Sequence, residues 1–373
     1  MAITELGLSI QKHLQVTPPD WPGGFWWHWL FFTVVVIVFV LTMVLGVIYI
    51  ERRGLGRIQY RLGPNRTGPF GLFQPVADAL KVLLKENIVP DDADKIIHWL
   101  APLVAFIPAL MIFAVIPFQN GAVLADLNIG ILYVVAVSSV STLGVFMAGW
   151  VSSNKYSLLG AMRNVAAVVS YEIPLVLAVI GVVLLAGSLS MNQIVLAQNI
   201  PFILLQPLGF FLFFTAGCAE INRSPFDLME ADSELVAGFH TEYSGMKFAM
   251  FYLVEYAEAV AIAAIITTLF LGGWRGPVLP PWLWFVIKLV IVFFIMVWTR
   301  STLPRVRIDQ LMALAWKFLL PLAVINLIVT AIQVLAWPTA MPIVIIIVNF
   351  VIMAASILLW SKFFKLGWGR IEV

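Results

Sequence analysis

The sequence has very few of the residues that hold redox or metal centres. It contains one cysteine, Cys218, in 373 residues, which excludes a disulfide within the chain and an iron–sulfur cluster held by several thiolates. The four histidines, His13, His28, His98 and His240, are scattered without metal-ligand spacing. Neither a G-x-x-x-x-G-K loop nor a G-x-G-x-x-G turn occurs. We therefore expect this chain alone to bind no metal, nucleotide or flavin.

Charge is also scarce. Only 11% of the residues are charged, whereas 62% are hydrophobic, and the mean hydropathy is +0.99. A soluble domain of this size could not cover such a composition with a polar surface. We predict an all-α, polytopic integral membrane protein with one membrane domain over residues 1–373. The nine predicted spans are 26–50, 99–118, 129–151, 164–187, 201–220, 247–271, 282–300, 311–336 and 341–361.

Basic residues alternate between the predicted loops. Eighteen of them fall on one side of the membrane and two on the other, while two more lie within spans. By the positive-inside rule, the 51–98 loop, the acidic 220–247 loop and the C-terminus face the cytoplasm. The N-terminus then lies on the lumenal or periplasmic side, which agrees with nine spans. The 341–361 span is predicted to be an additional C-terminal helix.

The 51–98 loop contains a second kind of helix. From residue 72 to residue 85, the polar residues Gln74, Asp78, Lys81 and Lys85 recur at helical spacing among apolar ones. This pattern predicts an amphipathic helix on the membrane surface. Such a helix either packs on the transmembrane helices or forms one wall of an entrance for an amphipathic substrate.

Acidic residues are concentrated late in the chain. Eight of the 20 acids lie between Glu220 and Glu258, and Glu172 lies within the fourth predicted span, two residues before Pro174. Carboxylates crowded at an apolar boundary repel one another and lose solvation, which favours proton binding. An ionised carboxylate within a membrane costs roughly 2.5–3.5 kcal/mol, so its presence suggests a function. We interpret the cluster as proton-handling, with a structural hydrogen bond as the alternative for Glu172.

Two long segments of the chain resemble a known family. They are ERRGLGRIQYRLGPNRTGPFGLFQPVADALKVLLKE at 51–86 and EINRSPFDLMEADSELVAGFHTEYSGMKFAMFYLVEY at 220–256. They resemble the two signature regions of the membrane subunit of complex I that adjoins the quinone site, the NuoH/NdhA type. The resemblance extends from the first span to the eighth. The KENIVPDDADK segment at 85–95 is most similar to the cyanobacterial and chloroplast branch. That branch implies a photosynthetic NDH complex in the thylakoid membrane, which takes electrons from ferredoxin and reduces plastoquinone.

The resemblance also implies roles for individual residues. Those implied to form the quinone chamber are Glu51, Arg52, Arg53, Arg57, Arg61, Arg66, Asp78, Phe226 and Asp227. Those implied to form the acidic proton path are Glu172, Glu220, Glu230, Asp232, Glu234, Glu242 and Glu255, with Glu258, Lys288 and Lys317 as weaker candidates. Asp232 stands where the family commonly has Glu, so its carboxylate reaches less far. A lone lysine in a span commonly extends to the interface instead of relaying charge.

The family further implies a subunit of a proton-translocating NAD(P)H or ferredoxin:quinone oxidoreductase, a translocase without a redox centre of its own. Its partners would be a soluble arm carrying the terminal iron–sulfur cluster, the antiporter-like membrane subunits and quinone. No nucleic acid is expected. The membrane would be a thylakoid or a bacterial inner membrane.

Two other classes of protein also place acids in a membrane. A stand-alone proton or sodium antiporter should show paired broken helices in two halves of the chain, and no such pairing is visible. A membrane enzyme acting on a lipid head group would need carboxylates in a compact metal-ligand motif. Gentle solubilisation distinguishes these classes. A complex I subunit should migrate within a large assembly that contains iron–sulfur proteins, whereas an antiporter or a lipid enzyme should migrate alone.

Overall fold

The computed structural model describes residues 26–119, 123–227, 235–336 and 342–363, and these ranges form helices and connecting segments without a β-strand. The first helices are α1 (Trp26–Ile58), α2 (Gln74–Leu83), α3 (Lys95–Met111), α4 (Gly130–Val151), α5 (Lys155–Ala186) and α6 (Met191–Ala197). They are followed by α7 (Phe202–Leu205), α8 (Pro207–Glu220), α9 (Gly245–Phe270), α10 (Pro281–Thr302), α11 (Ile308–Ala336) and α12 (Pro342–Phe363). Helix α11 contains a π-helical turn at Leu314–Leu319.

Eight helices in the described residues are long and apolar enough to cross a membrane, which confirms the predicted polytopic α-helical class. The predicted fifth span, 201–220, is not one helix. Gln206 leaves the helical conformation, and α8 restarts at Pro207, so the span divides into α7 and α8. Proline has no N–H to continue the hydrogen bonding of the preceding helix. By contrast, α5 continues through Pro174.

Helix α1 is longer than its predicted span. It continues to Ile58, so Glu51, Arg52, Arg53 and Arg57 lie on its last turns and not in a loop. The amphipathic helix predicted at 72–85 forms as α2, which contacts α1 and α9. Its exposed apolar side chains include Val76, Leu80 and Leu83. Charged residues at the end of α1 are thereby held beside a surface helix.

Helix α9 lies at the centre of the bundle. It contacts α1, α3 and α10, and every residue from Ala259 to Phe270 is buried. On the other side of the fold, α5 packs against α4, α8 and α11. Because lipid supplies no hydrophobic force between helices, close approach depends on small residues and polar contacts.

The contact between α3 and α4 illustrates this close approach. A Cβ atom placed on Gly144 of α4 would lie 2.5 Å from the backbone nitrogen of Ala105 on α3. No real Cβ fits at that distance, so the two backbones meet only because residue 144 is glycine.

We predict that Gly144→Ala destabilises the protein, because its methyl group forces α3 and α4 apart. Overpacking of this kind costs about 1–3 kcal/mol. Thermal unfolding of the detergent-solubilised protein measures the effect. Gly46→Ala on α1 is the matched control, since no atom lies within 4 Å of its Cβ position. An equally small change in both variants would contradict the predicted contact.

Candidate functional site

A cluster of four charged side chains, two of them buried and two partly exposed, connects α1, α9 and α10 with the segment after α8. Glu51 is 2% exposed and accepts hydrogen bonds from Nη1 of Arg223 and Nη1 of Arg300. Arg223 is 3% exposed, and its Nε lies 3.2 Å from Oε1 of Glu255. Two carboxylates and two guanidinium groups therefore compensate one another, as the burial of Glu51 and Arg223 requires.

Aromatic rings hold the guanidinium group of Arg223 in place. Its Cζ lies 4.3 Å from the ring centroid of Tyr256 and 6.0 Å from that of Phe293. Such contacts favour a cation over the ring face. Burial by itself lowers the pKa of Arg223, but the carboxylates of Glu255 and Glu51 outweigh it and raise the pKa above its ordinary value. Arg223 therefore stays charged and bridges two carboxylates from different helices.

A cavity adjoins this cluster. Three acids line it: Glu220 at the end of α8, and Glu255 and Glu258 on α9. The three-residue spacing of the last two puts them on one helix face. The other polar residues of the lining are Ser138, Ser141, Thr142, Asn164, Asn222, His240 and Tyr252. The cavity thus combines polar and apolar lining, with carboxyl groups contributed by α8 and α9, and is called the polar cavity below.

A second cavity is mostly apolar. Glu220, Glu258 and Ser138 line both cavities, so the two adjoin at these residues. Met191 and Leu269 line the second cavity as well, at the ends of their helices opposite to the Arg223 cluster. The acids therefore stand where a polar cavity meets an apolar one.

Serines of α4 connect the carboxyl groups. The hydroxyl of Ser139 donates to Oε1 of Glu172 on α5. The side chain of Ser138 hydrogen bonds to Glu220, which also interacts electrostatically with Glu258 and Glu172. One turn of α4 thus contacts acids from two other helices. The predicted candidates Glu172, Glu220, Glu255 and Glu258 lie along one continuous region.

The charged end of α1 is tied to the surface segment. Arg52 is paired with Asp78 of α2. Arg53 donates to the backbone carbonyl of Phe70, and to the hydroxyl of Tyr49 at 3.0 Å. These contacts hold α2 and the backbone at Phe70 against α1, beside the helix turn that carries Glu51.

The other predicted chamber residues have different surroundings. Arg57, Arg61 and Arg66 are exposed. Phe226 is buried, with its ring centroid 5.7 Å from that of Tyr171, and Asp227 interacts electrostatically with Glu255. The predicted path residues Glu230, Asp232 and Glu234 lie outside the described residues.

Glu242 makes contacts unlike those of the central acids. Its Oε1 accepts a hydrogen bond of 2.7 Å from Nδ2 of Asn154. Beside it, Tyr243 stacks on the buried ring of His98 at 4.1 Å, and Nδ1 of His98 lies 3.0 Å from Nζ of Lys247. Glu242 therefore belongs to a polar group at the ends of α3, α5 and α9.

The two lysines within spans differ from each other. Lys288 donates to the backbone carbonyls of Leu271, Gly273 and Arg275 at 2.7–2.9 Å, which fastens the turn after α9 to α10. Lys317 lies exposed on the π-helical turn of α11. These contacts give Lys288 a structural function.

Known proteins match this chain over most of its length. A family model described as NADH dehydrogenase matches residues 31–331. A protein of Dehalococcoides mccartyi, named as the NADH-quinone oxidoreductase subunit of the H type, is 61% identical over 351 residues, which cover 94% of this chain and 99% of that protein. The chain belongs to this family of H-type subunits.

The corresponding H-type proteins from two other bacteria agree. The one from Geobacillus kaustophilus is 52% identical over 80% of this chain and 91% of its own length. The one from Bacillus thuringiensis is 51% identical over 84% of this chain and 96% of its own length. The predicted membership in the complex I membrane subunits is confirmed, and the antiporter and the lipid enzyme are not favoured.

Several residues of the site have no local sequence pattern that predicts their contacts. Arg300 reads only as a basic residue at the end of a span, because no local pattern connects it with Glu51. Ser138 and Ser139 fall within an apolar run, and their signal is the hydroxyl-rich segment SSVST at 138–142. Asn164 accepts a hydrogen bond of 2.9 Å from Asn222, a contact between residues 58 positions apart.

We predict that Arg223→Met destabilises the protein, because Glu51 and Glu255 would lose their shared countercharge. Breaking a buried ion pair from one side costs about 3–5 kcal/mol. Adding Glu51→Gln should restore part of the lost stability, since one uncompensated charge is then removed. Thermal unfolding of the purified variants measures this, with the exposed Arg61→Met as control. Additive losses in the double variant would contradict the bridge.

Proposed function

We propose that this protein is the membrane subunit of a proton-translocating NADH-quinone oxidoreductase, where it forms part of the quinone chamber and of an acidic path leading from it. The observation that carries the proposal is the continuity of the site. The Arg223 cluster, the polar cavity and the acids Glu258, Glu220 and Glu172 follow one another through the bundle.

The chamber wall in this proposal is the end of α1 together with α2. Quinones are amphipathic and enter from the membrane, and α2 presents apolar side chains outside while Arg52 and Asp78 join it to α1. The backbone at Phe70 and the guanidinium group of Arg53 lie beside this wall. The wall therefore offers an apolar approach and a charged rim.

Coupling would work through Arg223. Reduction of quinone creates negative charge or takes up protons near the rim, and either event changes the competition of Glu51 and Glu255 for Arg223. Two unit charges 4 Å apart interact by about 4 kcal/mol at an effective dielectric constant of about 20. Moving one charge across 100 mV requires about 2.3 kcal/mol. The electrostatic change is large enough to redistribute protons among Glu255, Glu258 and Glu220.

The partners would be the other subunits of the complex. The exposed Arg57, Arg61 and Arg66 provide a basic surface near the chamber for a soluble arm that carries an iron–sulfur cluster, and antiporter-like subunits would continue the acidic path. The N-terminus would lie outside and the C-terminus in the cytoplasm. Gentle solubilisation followed by size separation tests this: the chain should migrate in a large assembly containing iron–sulfur proteins, and migration alone would overturn it.

The photosynthetic branch is a finer proposal that rests on the 85–95 segment alone. It would add a thylakoid location, plastoquinone as acceptor, and ferredoxin or NADPH as donor. The three named relatives are bacterial proteins whose names specify NADH and quinone. Comparing NADH, NADPH and reduced ferredoxin as donors to membranes containing the assembled complex distinguishes the two assignments.

We predict that Arg53→Ala slows electron transfer to quinone at least several-fold, while upstream iron–sulfur clusters are still reduced. The substitution removes the rim charge and frees the Phe70 carbonyl. Quinone reduction and cluster spectra are measured on equal amounts of assembled complex. The exposed Arg305→Ala serves as a control for general loss of positive charge. Normal quinone reduction would leave Arg53 with an anchoring function only.

We predict that Glu172→Gln assembles normally but loses most proton translocation, because an amide keeps hydrogen bonding and cannot change charge. Ser139→Ala, which removes the hydroxyl contacting Glu172, should show a smaller loss of the same kind. Proton uptake per electron in vesicles is the measurement, with the exposed Glu86→Gln as control. Unchanged proton uptake in Glu172→Gln would remove Glu172 from the path.

A further inference from the structure

The break between α7 and α8 exposes backbone groups inside the apolar part of the protein. The end of a helix leaves carbonyl groups without partners in the same helix, and hydrocarbon offers none. Here Nδ2 of Asn349, on the last helix α12, donates to the carbonyl of Leu205. Asn349 also forms a reciprocal pair of amide hydrogen bonds with Gln333 of α11. Asn349 of α12, held in place by Gln333 of α11, therefore supplies a hydrogen bond to the backbone carbonyl of Leu205.

Gln206 is the residue at the break, and only one end of its side-chain amide has a hydrogen-bond partner among the described residues. Its Nε2 donates to Oγ1 of Thr330 at 2.7 Å, and Thr330 in turn donates to the carbonyl of Asn326 at 2.7 Å. Oε1 of Gln206 and Nδ2 of Asn326 have no hydrogen-bond partner among the described residues. The two residues are 3% and 5% exposed. An acceptor and a donor are thus both buried and unpaired, which native proteins normally avoid.

Both residues line a small cavity, together with Thr330 and Asn349. A glycine on α5 allows the amides to approach that helix. A Cβ atom on Gly181 of α5 would lie 3.0 Å from Nε2 of Gln206 and 3.1 Å from Nδ2 of Asn326. The cavity is therefore small and lined by residues of four helices, with its polar groups contributed by Gln206, Asn326, Thr330 and Asn349.

We propose that the α7–α8 break is a binding site for a water molecule, which donates to Oε1 of Gln206 and accepts from Nδ2 of Asn326, and that α12 closes the site through Asn349. A buried water generally makes two to four hydrogen bonds to groups that would otherwise be unsatisfied. A neutral ligand with both a donor and an acceptor fits the two amides. A charged ligand would lack a countercharge in this lining.

The site positions the start of α8, whose last residue is Glu220. Gln333 and Asn349 lie beyond the residues 31–331 that the family model matches, so α12 contributes a contact outside the matched region. The water, Gln206 and Asn349 together anchor a discontinuous helix. This inference does not depend on quinone or proton chemistry.

The first test is a map of the intact complex in lipid, at a resolution that shows ordered water. We expect density between Oε1 of Gln206 and Nδ2 of Asn326, within hydrogen-bond distance of both atoms. A direct hydrogen bond between the two amides, with no density in the cavity, would overturn the proposal.

Variants give the second test. Asn326→Leu should lose the water density and lower the midpoint of thermal inactivation by about 2–4 °C. Ile352→Val, which changes only the apolar lining of the same cavity, should retain the density. Equal behaviour of the two variants would contradict the site.

Glycine variants test the same cavity from another helix. Gly181→Ala should displace the water and lower the midpoint, whereas the unobstructed Gly46→Ala should not. Asn349→Leu should remove the density as well, because the site then opens towards lipid. Retained density in Asn349→Leu would refute the closing function of α12.

Discussion

The bridging of two buried carboxylates by Arg223 is the interaction on which the central architecture depends. A lone buried charge would be costly, so Glu51 on α1 and Glu255 on α9 must remain within reach of Arg223. Arg300 of α10 balances the second negative charge. Three helices are consequently fixed relative to one another by charge, in a bundle whose lipid environment supplies little force between helices.

The same cluster makes the site responsive. Each carboxylate competes for shared positive charge, and the polar cavity beside Glu255 contains further acids with serine contacts. A change of charge at one end therefore alters the balance at the next group. A rigid hydrophobic core could hold the helices together equally well, but it could not transmit a change in protonation.

Discontinuity is the second feature that the fold must compensate. At the break, Asn349 of α12 donates to the backbone carbonyl of Leu205, and the side chain of Gln206 donates to Thr330 of α11. Lys288 does the same for the turn that follows α9. In both places a polar side chain from another helix donates to a backbone carbonyl that has no partner within its own helix.

The sequence by itself determined the membrane class, the approximate spans, the surface helix at α2 and the family, because long apolar runs, helical spacing and two long motifs are local signals. It also identified Glu172, Glu220, Glu255 and Glu258 as unusual, since carboxylates in apolar runs are costly wherever they point. Only the tertiary structure decided which side chains the acidic residues contact. Arg300 pairs with Glu51 across 249 positions, and Ser139 meets Glu172 across 33. Nearly uniform apolar helices give no pattern that specifies their neighbours, so close packing and buried charge pairing make that choice.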